Sequence, residues 1–370
     1  MLPLSEIIFY LFMGAAGAHL LISLINSLAV ITYRPPEPQA PPPPISIIVC
    51  TRNEEKNLRE LLPLLLSQNY ASYEVSIVLD RCFDNSLDFL KSLEPDHPNL
   101  KTLIVDYLPD QFHPKKYGLT LAIKGAQHQW VLLTDADCRP NSDQWLTSMA
   151  AAMDDQTDAV IGYSPYLRDK GFLNAFIQYE TFLTAWYYAS SALLGFAYMG
   201  VGRNLAYRKS LFIASKGFNR FQGITGGDDD LFLQHHVHRK RTQVLLGSKS
   251  LVWSKPKTSW SDYFKQKKRH LSVGRFYKKP VVAKHLLRTS FHLLLWLCFI
   301  ILASLKFEVI TISAVLIGVL AAKALLFWGS ARKMGHGYPY WITPLLDFAY
   351  ALFIPAMGLV SFFRRRIKWK

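Results

Sequence analysis

Cysteine is scarce in this chain. The 370 residues include four, Cys50, Cys82, Cys138 and Cys298, and none has a neighbour at a zinc-binding spacing. That excludes a cysteine-based metal module and a disulfide-stapled domain, and it predicts four reduced thiols in a cytoplasmic setting. Acidic residues are also few, 27 Asp plus Glu against 42 Lys plus Arg, leaving a net charge of +15 at pH 7. Such an excess favours anionic surfaces: acidic lipid headgroups, phosphorylated substrates or nucleic acid. With long apolar runs in the same chain, membrane and phosphate are the expected partners, and nucleic acid is not. The first apolar run lacks a basic leader and is longer than the core of a secretory signal, so it is read as a retained anchor. What the chain has in abundance is apolar surface: 50% hydrophobic residues, 14% aromatic and a mean hydropathy of +0.11. That is too apolar for an ordinary soluble enzyme of this size, and part of the chain should lie in lipid.

The apolar runs lie at the two ends. Ile7 to Ile31 is long enough at 1.5 Å per residue to cross a hydrocarbon core of about 30 Å, and Arg34 then marks the cytoplasmic side. Residues 1–34 are therefore an anchor, and 35–44, rich in proline, a stiff spacer. Leu286 to Leu305 and Val309 to Trp328 read as two further spans within a membrane region covering 281–370. Trp341 to Phe363 is less regular. Asp347 costs about 3 kcal/mol at a bilayer centre, and Pro344 and Pro355 interrupt the run, so the expectation is a bent or re-entrant segment with the tail Arg364 to Lys370 in the cytoplasm.

Between the ends, residues 45–280 alternate strand and helix patterns. Ile45 to Cys50, Tyr73 to Asp80, Lys101 to Val105 and Val131 to Thr134 read as buried strands; Asn57 to Leu66, Leu87 to Leu93 and Gly118 to His128 read as helices. That pattern predicts an α/β domain with parallel pairing and a ligand site at the strands' carboxyl ends. Arg52, Asn53, Glu54, Asp80, Asp84, Asp135 and Asp137 all fall there. Asp135 and Asp137, two residues apart where a strand runs out, can share a divalent cation such as Mg²⁺ or Mn²⁺, which in turn bridges substrate phosphates. A solvated acidic turn is the plain alternative for that pair taken alone.

Three segments together resemble family-2 glycosyltransferases: Ile48-Val-Cys-Thr51-Arg52-Asn53-Glu54-Glu, Val78-Leu-Asp80-Arg-Cys-Phe-Asp-Asn-Ser, and Thr134-Asp135-Ala-Asp137. The resemblance implies a GT-A fold, a Rossmann-like mixed sheet flanked by helices, that binds a nucleotide sugar, with UDP favoured. It further implies donor contacts from Thr51, Arg52, Asn53, Glu54, Asp80, Asp135 and Lys115 or Lys116, and a Mg²⁺ or Mn²⁺ held by Asp135 and Asp137. Leu79 stands where the family often has Asp.

Later segments extend the likeness. The aromatic run 171–198 fits either a core helix or, with Glu180 and its Trp and Tyr residues, a helix lying at the membrane interface, which is the favoured reading. Met199-Gly-Val-Gly202-Arg resembles the family's acceptor segment, where glycine admits a sugar closely. Asp228, Asp229 and Asp230 are adjacent carboxylates whose repulsion should raise at least one pKa, as a general base requires. By the resemblance Asp229 is the first choice for that base and Asp228 the second; an acidic helix N-terminus is the alternative. Gln266, Arg269 and His270 resemble the Gln-x-x-Arg-Trp motif of membrane members such as ceramide glucosyltransferase, with His in place of Trp, and imply contacts to diphosphate and acceptor. The whole predicts an inverting transferase that moves a hexose from a nucleotide sugar to a hydroxyl of a membrane lipid on the cytoplasmic face of an inner membrane. A processive polysaccharide synthase and a catalytically inactive scaffold are the alternatives.

Overall fold

A computed structural model describes residues 2–38 and 41–363. It opens with helix α1 (Leu4–Ile31) and continues as β1 (Ile45–Thr51), α2 (Glu55–Leu66), β2 (Tyr73–Asp80), α3 (Ser86–Leu93), β3 (Leu100–Val105), α4 (Pro114–Gly125), β4 (Trp130–Asp135) and β5 (Cys138–Pro140). Then follow α5 (Trp145–Ala151), β6 (Ala159–Gly162), α6 (Phe172–Leu193), β7 (Leu205–Arg208), α7 (Lys209–Ala214), α8 (Asp230–His236), β8 (Thr242–Leu245), β9 (Val252–Ser254), α9 (Trp260–Val273), α10 (Lys279–Ser304), α11 (Val309–Met334) and α12 (Thr343–Phe363).

Seven strands form one sheet in the order β3-β2-β1-β4-β7-β6-β8. The first four run parallel, and β7 is antiparallel to both its neighbours. β1 is buried on both faces, which its near-continuous run of β-branched residues permits. Its alternating side chains serve two cores: Ile45, Ile47 and Val49 pack with Leu58, Leu61, Leu62 and Leu65 of α2, whereas Ile48 joins Val78, Val131 and Leu133 on the opposite face. The expected helix at 118–128 instead starts at Pro114, which needs no N–H at a helix's first turn.

The aromatic run differs from its favoured reading. The α6 side chains Tyr179, Phe182, Trp186 and Tyr188 are buried inside the protein, so this helix is a wall between sheet and apolar helices, not a helix presenting rings to headgroups. Trp186 donates to Ser330 of α11 (3.2 Å) and Ser190 to Asn26 of α1 (2.6 Å), fastening the wall to the outer bundle.

Among the described residues, four helices are long and apolar enough to cross a membrane: Leu4–Ile31, Lys279–Ser304, Val309–Met334 and Tyr340–Val360. The last is one continuous helix, where the sequence led to the expectation of a bent or re-entrant segment. α12 runs unbroken through Pro355, and Pro344 sits at its second residue, where a missing N–H is harmless. Asp347 is fully buried but not alone: Lys323 of α11 pairs with one oxygen and His292 of α10 with the other (2.7 Å). Tyr179 (2.7 Å) and Trp296 (3.0 Å) also donate to it. A hydropathy sum charges the full penalty to an isolated carboxylate, and these partners, distant in sequence, remove most of that penalty. The expected cytoplasmic tail at 364–370 lies outside the described residues.

Candidate active site

Strand register sets the rim of the site. Asp135, the last residue of β4, pairs with Cys50 of β1, and Thr51 pairs with Leu79 of β2, so the ends of three strands open side by side. Beyond β1, the Asn53 N–H donates to Cys82 Sγ (3.4 Å), and the Asn53 side-chain oxygen accepts from the Phe83 N–H (2.8 Å). Asn53 holds a left-handed φ of 54°, which Asn tolerates better than most residues. These bonds lock the loops after β1 and β2 together. Arg52 and Glu54 belong to this loop pair, where Glu54 accepts from Asn57 (2.5 Å). Asp80 is buried and accepts two bonds from Arg81 (2.8 and 3.0 Å).

In front of the rim lies a cavity of about 880 Å³. Lys115, Asp135, Asp137, Gly202, Asp228, Asp229, Gln266, Arg269 and His270 all line it; Thr51, Arg52, Asn53, Glu54, Asp80 and Lys116 do not. For Thr51 to Glu54 and Asp80 this places them on the adjoining loop rim. Lys116 is different: its buried ammonium donates to the carbonyls of Phe221 (2.5 Å) and Ile224 (2.7 Å), so it fastens the loop ahead of the acidic cluster instead of facing the cavity. Burial lowers its pKa to about 8.

Lys115 joins two halves of the site. Its ammonium lies 3.0 Å from Asp135 and 3.3 Å from Asp228. Burial opposes that charge, but the two carboxylates outweigh it and hold the ammonium well above its ordinary pKa. Asp135, Asp137 and the Cys138 thiol bring their ligand atoms within 4.8 Å of one another. Burial and the Asp135 charge push the thiol upward, which keeps it protonated and leaves the two carboxylates as the donors. Paired carboxylate oxygens suit a hard divalent cation, and a lysine ammonium against Asp135 marks the spot as one that attracts positive charge.

On the other side, Gly226 (φ +86°) and Gly227 (φ +80°) turn the chain sharply into Asp228. Asp229 caps α8 and accepts from the Asp230 N–H (2.8 Å) and the Gly202 N–H (2.9 Å). Gly202 thus touches the cluster through its backbone donor, and a Cβ there would meet Asp229 at an ordinary 3.5 Å. Burial and then the Asp228 charge raise the Asp229 pKa. Asp228 goes the other way: burial raises it, but Lys115 and Lys116 bring it below the usual carboxylate value. Asp230, raised to about 8 by burial and Asp229, accepts from the Tyr277 hydroxyl. The cluster therefore divides its roles by environment.

α9 forms the third wall. Ser259 caps it, accepting from the Asp262 N–H (3.2 Å), and it carries Gln266, Arg269 and His270 into the cavity. Gln266 donates to the Tyr166 hydroxyl (3.1 Å), and the Tyr166 ring lies 4.6 Å from the Arg203 guanidinium. Lys267 forms a buried ion pair with Glu180 of α6, to which Tyr263 (3.4 Å) and Thr184 (3.2 Å) also donate. Sequence reasoning missed Tyr166, Glu180, Arg203, Lys267 and Tyr277. The signal available was the stripe Glu180, Thr181, Thr184, Tyr188 at helical spacing, polar within an aromatic run, and it faces this cavity.

Known proteins resemble this chain along its length. The family model for glycosyl transferase family 21 matches residues 10–370. Ceramide glucosyltransferase 1 of Caenorhabditis elegans is 27% identical over 144 residues, covering 38% of this chain and 31% of that protein, so the aligned stretch spans about a third of its relative. Among solved structures, the mannosyltransferase PcManGT from Pyrobaculum calidifontis, in complex with GDP-Man and Mn²⁺, superposes with a TM-score of 0.62 at 18% identity, covering 98% of this chain and 100% of the other. TarS of S. aureus, residues 1–349 with UDP-GlcNAc, gives a TM-score of 0.42 at 18% identity over 86% of this chain and 89% of its own.

Proposed function

From the premise that this chain belongs to glycosyl transferase family 21 and has the GT-A fold, we propose an inverting transfer of a hexose from a UDP-sugar to a hydroxyl of a membrane lipid. The observation that carries this reading is the common cavity: Asp137 and Asp229, 92 positions apart in sequence, open onto one space together with Lys115 and Arg269.

Asp135 and Asp137 would hold the Mg²⁺ or Mn²⁺, which when bound neutralises charge on the departing diphosphate. The Mn²⁺ and GDP-Man in the complex of the similarly folded mannosyltransferase support that assignment. Lys115, Arg269 and Gln266 supply fixed positive or donor groups toward the phosphate oxygens, Arg269 through its planar fork. Asp229 takes the proton of the acceptor hydroxyl as that oxygen bonds to the anomeric carbon. The bond from the anomeric carbon to the diphosphate oxygen breaks in the same displacement, and the nucleotide leaves with the electron pair. The raised pKa of Asp229 suits a base, and its two N–H donors keep its carboxylate aimed.

Two observations support a lipid acceptor: one wall of the cavity is α6, whose other face packs on the apolar helices, and the similar nematode protein is a ceramide glucosyltransferase. The test is to incubate purified protein with Mn²⁺, a panel of nucleotide sugars and a total lipid extract, then search by mass for hexosylated lipid. A lipid heavier by one hexose, absent with chelator, is the expected result. A ladder of polymer, or no product with any donor, would overturn the reading.

A further inference from the structure

One cation of the cavity has no part in the chemistry described above. Arg203 lines the cavity, and among the described residues its guanidinium forms no ion pair with a carboxylate. Its Nη2 donates to the Ser164 carbonyl (3.2 Å), and its guanidinium carbon lies 4.6 Å from the Tyr166 ring centroid. A guanidinium has five N–H donors, and an aromatic face orients it without using any of them. The others are left for whatever fills the cavity.

The frame around Arg203 is fixed on both sides. Before it, the Gly202 N–H donates to Asp229 (2.9 Å). After it, Asn204 is fully buried, donating to the carbonyls of Tyr163 (3.0 Å) and Ser250 (2.8 Å) and accepting from the Trp145 indole (3.1 Å). The ring that carries the guanidinium is held as well: Tyr166 is bridged to Ser254 of β9, which pairs in turn with Cys138 of β5, and Gln266 donates to its hydroxyl (3.1 Å). With neighbouring strands about 4.8 Å apart, the Tyr166 backbone lies about 10 Å from that of Cys138, the residue after Asp137.

Arg203 therefore stands one residue from the backbone donor that aims the base and beside the carboxylate pair suited to a metal. Burial disfavours its charge, but Tyr166, Cys138, Asp135 and Asp137 act the other way and hold its pKa above the ordinary value. In the transfer described above, the anomeric carbon lies between the metal and Asp229, so the ring bearing that carbon occupies the space in front of Arg203. Resting on that transfer reading, we propose that Arg203 is a specificity-determining contact to the donor sugar, its guanidinium donating to hydroxyls of the transferred hexose. A pre-oriented, weakly hydrated fork suits neutral hydroxyl acceptors, whereas Lys115 and Arg269 remain the cations of the diphosphate.

The full chain, purified in detergent with Mn²⁺, is titrated by calorimetry with UDP-glucose, UDP-galactose, UDP-N-acetylglucosamine and GDP-mannose, and with UDP and GDP. Arg203→Met should weaken the nucleotide sugar by about 10- to 100-fold, the worth of a hydrogen bond to a charged group, and leave the free nucleotide nearly unchanged. Differences among the sugars should narrow. An equal loss for nucleotide and nucleotide sugar makes Arg203 a phosphate contact or a structural clasp and overturns the proposal, as does no loss at all. Deoxy analogues of the tightest-binding sugar give a readout that a structural role would not move. Removing the contacted hydroxyl should cost the wild type about tenfold and the Arg203→Met variant almost nothing. If that variant does not fold, Arg203→Lys keeps the charge but not the fork and should shrink the same penalty; identical deoxy penalties in both proteins overturn the proposal. A wild type that binds none of the four nucleotide sugars overturns the transfer reading and this proposal together, whereas one that binds a sugar equally well with and without the Arg203 guanidinium overturns this proposal alone.

Discussion

Replacing Asp229 with Asn separates chemistry from folding more cleanly than any other change in the cavity. The two Asp229 oxygens accept from Asp230 N–H and Gly202 N–H at 2.8 and 2.9 Å. Asn retains one acceptor oxygen and remains a good helix cap, so the structural loss is one hydrogen bond, about 1 kcal/mol. Removing a charge beside Asp228, which itself raises the Asp229 pKa, relieves repulsion and offsets part of that loss. Stability should therefore change by less than about 1 kcal/mol. The proton acceptor, in contrast, is gone, and kcat should fall by about 10² to 10⁴, or roughly 2.7 to 5.4 kcal/mol in the barrier. Nucleotide release under saturating donor and lipid acceptor measures kcat, calorimetry measures donor affinity, and thermal unfolding measures stability. Unchanged donor affinity and stability with the large fall in kcat is the expected pattern. A variant that keeps more than about a tenth of wild-type turnover would refute Asp229 as the base.

Other consequences follow from the same geometry. Asp229 must be ionised to act, so kcat/KM should fall as pH drops through its raised pKa; Asp228→Asn removes one cause of that shift and should move this acidic limb to lower pH in a pH–rate profile. Lys115→Met should cut transfer by roughly tenfold or more, since it strips the cation between Asp135 and Asp228. Lys116→Met should act mainly on stability, because its ammonium bonds backbone carbonyls outside the cavity; unfolding curves and kcat for the pair distinguish the two roles. Lys323→Met leaves the Asp347 carboxylate buried without its ammonium and should destabilise the helix bundle by about 3 to 5 kcal/mol, while adding Asp347→Leu should recover most of the loss, read as unfolding temperature in detergent.

The sequence was informative where chemistry repeats along the chain. Alternating apolar strands and amphipathic helices located β1, β2, β3, β4 and α2, and the two carboxylates of Asp135 and Asp137 sit at a strand end, as their position after Val131-Leu-Leu-Thr requires. Four residues of α4 were missed because Pro114 reads as a loop residue until it is seen to open a helix. Lys115 and Lys116 are indistinguishable in sequence; successive helical positions point about 100° apart, which sends one to the acids and the other to a loop. α6 and α12 show the limit from the other side. Composition reports how apolar a segment is but not what covers it: Glu180 was read as the mark of an interfacial helix and Asp347 as that of a bent or re-entrant segment. Each is instead matched by a lysine, Lys267 and Lys323, whose proximity only the folded chain creates. Tyr166 and Tyr277 likewise enter the site through partners about 100 and 47 positions away, beyond any local pattern.

The most direct test of a shared catalytic cavity is a structure of the full chain with Mn²⁺ and a non-hydrolysable UDP-sugar, with the metal located by anomalous scattering. The account predicts the metal at Asp137, the diphosphate between that metal and Arg269, and the anomeric carbon facing Asp229 across space for one hydroxyl. A nucleotide bound elsewhere, or an anomeric carbon walled off from Asp229, would contradict it.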